Sequence, residues 1–420
     1  MSTKPSNWLR RDVLGAAALA GSAIAADAAP AKPRLNSASA LALAPDGKLI
    51  VADWKAGKLH AIGLPPGGSR TTSSSFNLKG IDAKIAAALK MPLTRLRFTA
   101  LAFDHTHNRA IVACEAGPAG AALALAGPEG SVTLVDPAKA PITSFELEDA
   151  PGDGLLWERI PARSFLITCL ECRAGEVLAS GLANADFSST FRRIPYPFAK
   201  QSARTTVEMY HTIHNQIETR APVRAFATIE ADGQPYVLAA YTCTPLVLIP
   251  LQELQTGKAR GKTIAELGYG NTPVSVVPFQ IEYQGKISKW VVVANSSKSA
   301  DLISQDAIAA AAGKPGLTEP VRVPFATRAG VQAIEAPLSN LVALVDQDPQ
   351  FLLGMRRDLQ TGALDLVSFR KGAFFRLSDH VNEYDFPTYD YPAGDAFQQQ
   401  YVRPFHKMMR TDEGYPKLVK

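Results

Sequence analysis

Residues 40–53 read ALALAPDGKLIVAD, which consists of two apolar runs separated by the turn Pro45-Asp46-Gly47. An Asp-Gly turn between two apolar runs is a strong signal for a β-hairpin. The second run ends in the polar residue Asp53, and a further apolar segment follows it. The stretch therefore predicts three short antiparallel strands that form one sheet with apolar side chains on both faces.

The same unit recurs along the chain, most clearly at Ala100–Cys114, Arg224–Thr242 and Val276–Asn295. One such unit cannot bury its own apolar faces, so the copies must pack on one another, and a closed ring of them leaves no sheet edge bare. We therefore predict an all-β fold, a β-propeller with six or seven four-stranded blades over residues 36–370.

The second strand of each unit marks the position of its blade. We place these strands at Leu49–Asp53, Ala110–Cys114, Glu176–Gly181, Tyr236–Thr242, Trp290–Asn295 and Leu341–Asp346. Their spacing is longer than the roughly 40–45 residues of a WD40 blade, so the connecting loops carry insertions. Two of these insertions, Ile81–Lys90 and Asp306–Lys314, have the alanine-rich composition that favours short helices.

The two ends of the chain differ from the repeats. Residues 1–28 carry the pair Arg10-Arg11 before a weakly apolar stretch, and this pattern predicts an export signal of the twin-arginine type, with an ordinary secretory signal as the alternative. The apolar stretch is too short to span a bilayer. We therefore expect a periplasmic or secreted protein with no membrane span after signal removal. Residues 371–420 are rich in aromatic residues and proline, and we expect them to pack on the propeller or on a partner.

Composition excludes several functional classes. Hydrophobic residues make up 46% of the 420-residue chain, and the formal net charge is +5 with the charged residues scattered. No Lys/Arg-rich run interleaves with aromatic residues, which argues against a nucleic-acid partner. The chain also lacks a Walker loop, a dinucleotide fingerprint and a G-x-S-x-G motif.

A histidine pair is the most suggestive local pattern for a metal. His211 and His214 are three residues apart and Glu218 follows them, while Glu208 precedes them. Two such histidines can share a metal ion if the segment is helical, and a carboxylate or a thiolate such as that of Cys243 can complete the site. The pattern predicts one divalent metal ion held by His211, His214 and Glu218. The alternative is that these histidines cap a loop and hydrogen-bond to the backbone.

A second group of polar residues precedes the innermost strands of several blades. These residues include Arg220 and Arg224 in the fourth unit, Asn271 in the fifth and Arg328 in the sixth. In a closed ring they would meet at one mouth of the central channel, where arginine side chains suit a carboxylate or phosphate ligand. We therefore predict a small-molecule site that includes Arg220, Asn271 and Arg328. The alternative is that they hydrogen-bond to neighbouring blades.

Two further motifs favour structural roles. Cys169 and Cys172 form a C-x-x-C pair, but the surrounding run FLITCLE predicts a strand, on which residues three apart point to opposite faces. We interpret them as buried structural thiols. Asp104, His105 and His107 fall in a predicted hairpin turn, which we expect to be exposed to solvent.

The stretches VADWKAGKLHAI (51–62) and GSVTLVD (130–136) resemble blades of the NHL, gluconolactonase-like and YVTN types of bacterial propeller. The resemblance covers roughly residues 36–370. Membership of the gluconolactonase-like group would imply a divalent metal held by Glu, Asn and Asp at the channel mouth. Asn271 falls where such an Asn stands, whereas Asn36 occupies the position expected for the Glu.

These patterns support three functional hypotheses. The first is an exported ligand-binding or scaffold module that takes a small molecule or a periplasmic protein partner at its central channel mouth. The second is a metal-dependent hydrolase or lyase at the same mouth, with Glu208 or Glu218 as ligand or general base. The third is an accessory subunit of a periplasmic redox enzyme, with the aromatic tail as its docking surface.

Overall fold

The computed structural model describes residues 34–67, 74–157, 159–255, 257–268, 271–321 and 328–373. The predicted export signal therefore lies outside the described residues, as does nearly all of the predicted extension 371–420. No helix within the described ranges is long and apolar enough to cross a membrane.

The described residues form 28 strands, which alternate along the chain with turns and short loops. In chain order they are β1 (Leu41–Leu43), β2 (Leu49–Asp53), β3 (Lys58–Ile62), β4 (Asn77–Leu78), β5 (Arg97–Asp104), β6 (Arg109–Glu115), β7 (Ala121–Ala126), β8 (Val132–Val135), β9 (Ile142–Glu146), β10 (Leu156–Trp157), β11 (Ile160–Pro161), β12 (Cys169–Arg173), β13 (Glu176–Leu182), β14 (Ser189–Pro195), β15 (Ala203–His211), β16 (Gln216–Glu218), β17 (Val223–Ala231), β18 (Gln234–Tyr241), β19 (Pro245–Pro250), β20 (Lys258–Glu266), β21 (Pro273–Tyr283), β22 (Lys286–Asn295), β23 (Ala300–Ser304), β24 (Ala329–Gly330), β25 (Ile334–Ala336), β26 (Leu341–Asp346), β27 (Phe351–Arg357) and β28 (Leu364–Arg370).

Two α-helices interrupt the strands, α1 (Ile81–Leu89) and α2 (Gln305–Ala312). Helix α1 lies within the predicted stretch Ile81–Lys90, and α2 overlaps the predicted stretch Asp306–Lys314 but begins one residue earlier. Helix α1 packs against β8 and β28, and α2 packs against strands of the fourth and fifth repeats. Short 3₁₀ turns occur at Leu93–Arg95, Gly117–Ala119, Ala162–Phe165 and Leu251–Gln255.

Most of the strands belong to six four-stranded antiparallel groups, which we call blades one to six. They are, in order, β1-β2-β3-β9, β5-β6-β7-β8, β12-β13-β14-β15, β17-β18-β19-β20, β21-β22-β23-β25 and β26-β27-β28-β4. The outermost strands of blades three and four, β15 and β20, also pair with each other in parallel, so these two blades are continuous.

The six blades form a closed ring. Each innermost strand contacts the innermost strands of two other blades, in the order two, one, three, four, five, six and back to two. This arrangement is a β-propeller, which confirms the predicted all-β fold, and the described residues account for six blades. Blade two lies between blades one and six, so the order of blades around the ring differs from their order in the chain.

Residues 76–80, which lie far from blade six in the sequence, supply its outermost strand. Strand β4 pairs with β28, and the backbone N–H of Phe76 donates to Ser368 Oγ at 2.7 Å. Asp365 accepts from the backbone N–H of Gly80 at 2.9 Å and from Lys79 Nζ at 2.7 Å. Strand β9 likewise completes blade one after the chain has built blade two. Both additions cover strand edges that would otherwise be exposed.

Three side-chain hydroxyls join neighbouring blades at the start of their innermost strands. Each hydroxyl donates to a backbone carbonyl of the next blade. The acceptor residue comes directly before the residue that is equivalent to the donor in that blade. The pairs are Thr99 to Ala38 at 2.6 Å, Ser39 to Ile167 at 2.8 Å and Thr168 to Val223 at 2.5 Å. These bonds connect blade two to one, one to three and three to four. The equivalent positions in blades four, five and six carry Arg224, Val274 and Val342.

The predicted hairpin turns are present, and their glycines adopt the left-handed conformation that glycine tolerates best. In the turn that opens the first repeat, Gly47 has a φ of 79°, and Gly233 has a φ of 70° in the equivalent turn of blade four. The turn Asp104–Arg109 is also present. Asp104 itself is buried, however, and its carboxylate accepts hydrogen bonds from the side chains of His107 and Arg109, each at 2.8 Å.

One predicted strand position is wrong. Leu341–Asp346 is the innermost strand of blade six, and the second strand is Phe351–Arg357. The error arises because both segments are short apolar runs that end in a charged residue. The other five predicted second strands coincide with β2, β6, β13, β18 and β22.

The C-x-x-C cysteines lie on β12 and face different blades. Cys169 packs against the core between blades three and four, whereas Cys172 packs against the core between blades one and three. Burial raises the pKa of Cys169 to about 11 and that of Cys172 to about 12. The opposite facing agrees with the strand prediction, and both thiols are free, but both residues are half-buried and not fully buried as expected.

The hydroxyl bonds between blades give a test of stability. We expect Thr99→Val and Thr168→Val each to lower the free energy of unfolding by about 1 kcal/mol, since valine keeps the shape but leaves a carbonyl without its donor. Urea unfolding followed by circular dichroism measures this change. Thr133→Val, on the exposed outermost strand of blade two, is the matched control and should change stability little. Equal losses in all three variants would contradict the proposed contribution of these bonds.

Candidate functional site

A β-hairpin brings the predicted histidine pair together. Strand β15 ends at His211, the turn contains His214, and β16 ends at Glu218. The centroids of the two imidazole rings are 4.0 Å apart. A helix was expected to bring the two histidines together, but the turn of the hairpin achieves the same proximity.

Glu218 bridges the two histidines. Its Oε1 atom lies 3.0 Å from Nδ1 of His211 and 2.6 Å from Nδ1 of His214. Burial would raise the pKa of Glu218, but the hydrogen bonds from both histidines outweigh it and lower the pKa to about 2. The carboxylate is therefore ionised at neutral pH and accepts an Nδ1–H from each ring. This leaves the Nε2 atoms of both histidines directed away from Glu218.

Cys243 joins the pair from the connection between β18 and β19. One ligand atom each of His211, His214 and Cys243 lies within 4.8 Å of the others. A hydrogen bond from His211 lowers the pKa of the Cys243 thiol. Burial would lower the pKa of His211, but Cys243, Glu218 and Glu266 raise it to about 9. His211 is fully buried, whereas His214 and Cys243 are exposed, so the cluster is open to solvent on one side.

Two buried oxygen atoms beside the cluster have no hydrogen-bond partner among the described residues. One is Oε2 of Glu266, which is fully buried and lies 4.0 Å from Nε2 of His211. The other is Oδ1 of Asn271, whose Nδ2 donates to the carbonyl of Cys243 at 3.1 Å. Unpaired buried acceptors are costly, so both oxygens favour a cation or a proton donor at this position.

We call His211, His214, Glu218, Cys243 and Glu266 the rim site, because all of them except Cys243 lie on or next to the outermost strands of blades three and four. His211 and Glu266 are the last residues of β15 and β20, the outermost strands of blades three and four. The parallel pairing of these strands places both residues at the same end of the propeller.

The remaining predicted residues are distributed over several places. Asn271 adjoins the rim site, as described above. Exposed Arg220 donates from Nε to the carbonyl of Asp186 at 3.3 Å. Arg328 forms ion pairs with Asp301 at 2.7 Å and Glu335 at 2.6 Å, so it is engaged within blade five.

Glu208 is also held elsewhere. It forms ion pairs with Arg260 at 2.6 Å and Lys258 at 3.4 Å across the β15–β20 pairing. Burial would raise the pKa of Glu208, but these partners lower it. The hypothesis that Glu208 serves as a metal ligand or general base therefore has no geometric support.

The central cavity is lined by all six innermost strands and has a volume of about 340 Å³. None of the predicted residues His211, His214, Glu218, Arg220, Asn271 and Arg328 is among the residues that line it. These residues were predicted to meet at one mouth of the channel, but the structure distributes them over the positions described above. The reason is that His211 ends an outermost strand, whereas the sequence analysis placed it before an innermost one.

Sequence reasoning missed Glu266 and Thr244. Thr244 Oγ1 lies 3.1 Å from Nε2 of His211, and Thr212 Oγ1 donates to Glu266 Oε1 at 2.8 Å. A glutamate that ends an apolar strand in the same repeat as Cys243 is the signal that points to Glu266. It is a weak signal, because strands often end in charged residues.

No family model matches the chain, and no curated protein matches it. Among solved structures, a chain of a mitotic checkpoint complex is similar at 10% identity and a TM-score of 0.33, over 86% of this chain and 100% of that chain. A chain of a yeast heterotrimeric nucleoporin complex is similar at 10% identity and a TM-score of 0.29, over 79% and 87% of the two chains. TM-scores this low carry no argument, so the propeller assignment depends on the sheets described above.

The four thiols should differ in reactivity. Since the thiolate is the reactive form, we expect Cys243 to react with a disulfide reagent much faster than the other three, whose pKa values are raised by burial. Mass spectrometry of the labelled native protein at pH 7.5 identifies the modified residue. Cys243→Ser should abolish the fast phase, whereas Cys172→Ser should leave it intact. Fast labelling of Cys169 or Cys172 would contradict the described packing.

Proposed function

We propose that this propeller is a metal-binding protein that holds one divalent ion of the zinc class at the rim site. The observation that carries the proposal is the convergence of His211, His214 and Cys243 within 4.8 Å. Two imidazoles and one thiolate are the ligand types that zinc favours in proteins. A tetrahedral zinc site with such ligands separates their atoms by about 3.3 to 3.8 Å, so the side chains need to close by about 1 Å.

Glu218 serves this site as an outer partner. Metal-bound histidines usually donate their second N–H to a carboxylate, which fixes the ring and the tautomer. Glu218 accepts from both Nδ1 atoms in this manner, at 3.0 and 2.6 Å. The sequence analysis assigned Glu218 as a ligand, and the geometry favours the positioning role instead. The unpaired oxygen of Glu266 supplies further negative charge near the ion.

The test is direct metal titration of purified protein. We expect one Co²⁺ or Zn²⁺ per chain, with the charge-transfer absorption of a cobalt–thiolate bond in the cobalt form. His211→Ala, His214→Ala and Cys243→Ser should each weaken binding by more than about 100-fold, and Glu218→Gln by about 10- to 100-fold.

The matched controls change the same residue types outside the cluster. His105→Ala and Cys172→Ser should leave the stoichiometry and the affinity unchanged, because neither residue belongs to the rim site. Absence of stoichiometric metal in the native protein, or equal losses in the control variants, would refute the proposed metal site.

Metal affinity should increase with pH. His211 has a pKa raised to about 9, so below that pH its imidazole carries a proton that a metal must displace. For one displaced proton the apparent affinity rises about tenfold per pH unit, or about 100-fold between pH 6 and pH 8. Competition with a chromophoric chelator of known affinity measures this dependence.

The variant Glu218→Gln separates the two contributions of that carboxylate to the pH dependence. Glu218 is one of the groups that raise the pKa of His211. Its replacement should therefore weaken binding at pH 8 but reduce the change in affinity between pH 6 and pH 8. An affinity that does not depend on pH in the native protein would contradict His211 as a ligand.

A metal-dependent hydrolase is the second candidate function. It is favoured by one observation, that the three ligands leave the site open to solvent on the side of His214 and Cys243. Three protein ligands leave a fourth position for water, which is the pattern of catalytic zinc sites. Turnover of ester or lactone substrates by the zinc form, lost in His214→Ala, would support this candidate. A binding role without turnover leaves the first proposal intact.

Export stays a prediction, since residues 1–28 lie outside the described ranges. Residence in the periplasm would be compatible with a metal loaded before export or afterwards. The resemblance to gluconolactonase-like propellers also stays a prediction. Their metal would lie at the channel mouth, whereas the metal proposed here would lie beyond the end of β15, near the connection between β18 and β19. The redox-subunit hypothesis depends on the tail beyond residue 373, which the structure does not describe.

A further inference from the structure

The central cavity has the size of a small-molecule site and is separate from the rim site. Its volume of about 340 Å³ falls at the lower end of the range found for ligand pockets. Its wall combines apolar side chains, such as Leu41, Phe226 and Leu344, with a few polar groups. A cavity of this composition suits a compact organic molecule with one or two polar groups.

A β-bulge turns one arginine into this cavity. The pairing of β17 with β18 shifts register between Val223 and Ala225, so Arg224 is the extra residue of the bulge. Bulges at the rims of closed sheets often redirect a side chain toward a site. Arg224 lines the cavity and is accessible to solvent there. In blades one, two and three the same position carries Ser39, Thr99 and Thr168, whose hydroxyls bind neighbouring blades.

Arg224 has no hydrogen bond or ion pair with the residues that the structure describes. The burial of its guanidinium lowers the pKa of Arg224, and the positive charge of Arg97 lowers it further, while the thiol of Cys169 opposes the change. No carboxylate contributes to this balance. The side chain of Arg224 is exposed in the cavity, and its positive charge has no counter-ion among the described residues, so it is available to an anionic ligand.

The acidic groups of the cavity wall already have partners. Glu171 accepts from the backbone N–H of Thr228 at 2.8 Å and from its hydroxyl. Asp346 forms an ion pair with Lys371 at 2.6 Å. Among the three charged side chains of the wall, Arg224 is therefore the one without a hydrogen bond or ion pair to the described residues.

We propose that the central cavity binds a small organic anion through a carboxylate or phosphate group held by Arg224. The planar guanidinium can offer two parallel N–H donors to either group, which adds direction to the charge attraction. The apolar parts of the wall contact the body of the ligand. This site does not depend on the metal proposed for the rim site.

Titration calorimetry in metal-free buffer tests the proposal with four probes, namely acetate, succinate, inorganic phosphate and glycerol 3-phosphate. We expect saturable binding of one molecule per chain for at least one probe. Arg224→Gln should weaken that binding by at least about tenfold, because it removes a charge-assisted hydrogen-bonding group. Arg224→Lys should retain the charge but lose the paired donors, and therefore give an intermediate affinity.

The controls distinguish this site from general attraction of anions and from the rim site. Arg220→Gln, an exposed arginine outside the cavity, and His214→Ala should both bind the probe as the native protein does. The melting temperature of Arg224→Gln should equal or exceed that of the native protein, since an uncompensated charge is removed. The proposal is overturned if no probe binds, if Arg224→Gln binds as tightly as the native protein, or if Arg220→Gln loses as much affinity.

Discussion

The structure depends on the confinement of each innermost strand between two others. The ring can close only if every interface between blades has the correct distance, and three of these interfaces are fixed by a hydroxyl that donates to a carbonyl of the next blade. Ser39, Thr99 and Thr168 supply these bonds on one half of the ring. On the other half the equivalent positions carry no hydroxyl, and other contacts hold the blades, such as the hydrogen bond from the backbone N–H of Leu344 in blade six to Ser275 Oγ in blade five. This asymmetry frees the position of Arg224 for a different use.

Local signals in the sequence predicted the fold well, whereas long-range pairing was beyond them. The turns at Gly47 and Gly233 are encoded within four residues, so the hairpins could be derived from them, and the ring followed from the repetition of units with apolar faces. The rim site depends on the parallel pairing of β15 with β20, whose residues are about 50 positions apart. The spacing of apolar residues along the sequence does not indicate which distant strands pair. The sequence therefore identified His211, His214 and Glu218 as a group but placed them at the wrong part of the blade.

The two candidate sites use charge in opposite ways. At the rim site, Glu218 and Glu266 place negative charge next to His211, and the unpaired oxygens of Glu266 and Asn271 favour a cation. In the central cavity, Arg224 presents a positive charge that has no counter-ion among the residues that the structure describes. Arg224 and the rim site lie toward the same end of the propeller, because β17 begins at the end where β15 and β20 finish. One face of the ring thus offers two chemically distinct positions.

The early contribution of residues 76–80 to blade six has a consequence for synthesis on the ribosome. Strand β4 is made long before β28, its partner, and Asp365 is nearly three hundred residues downstream of Lys79. During synthesis, residues 76–80 and helix α1 therefore lack their contacts with β28 until the last blade has emerged from the ribosome. Nascent chains that stop before that point retain an open edge, which makes them targets for chaperones and proteases.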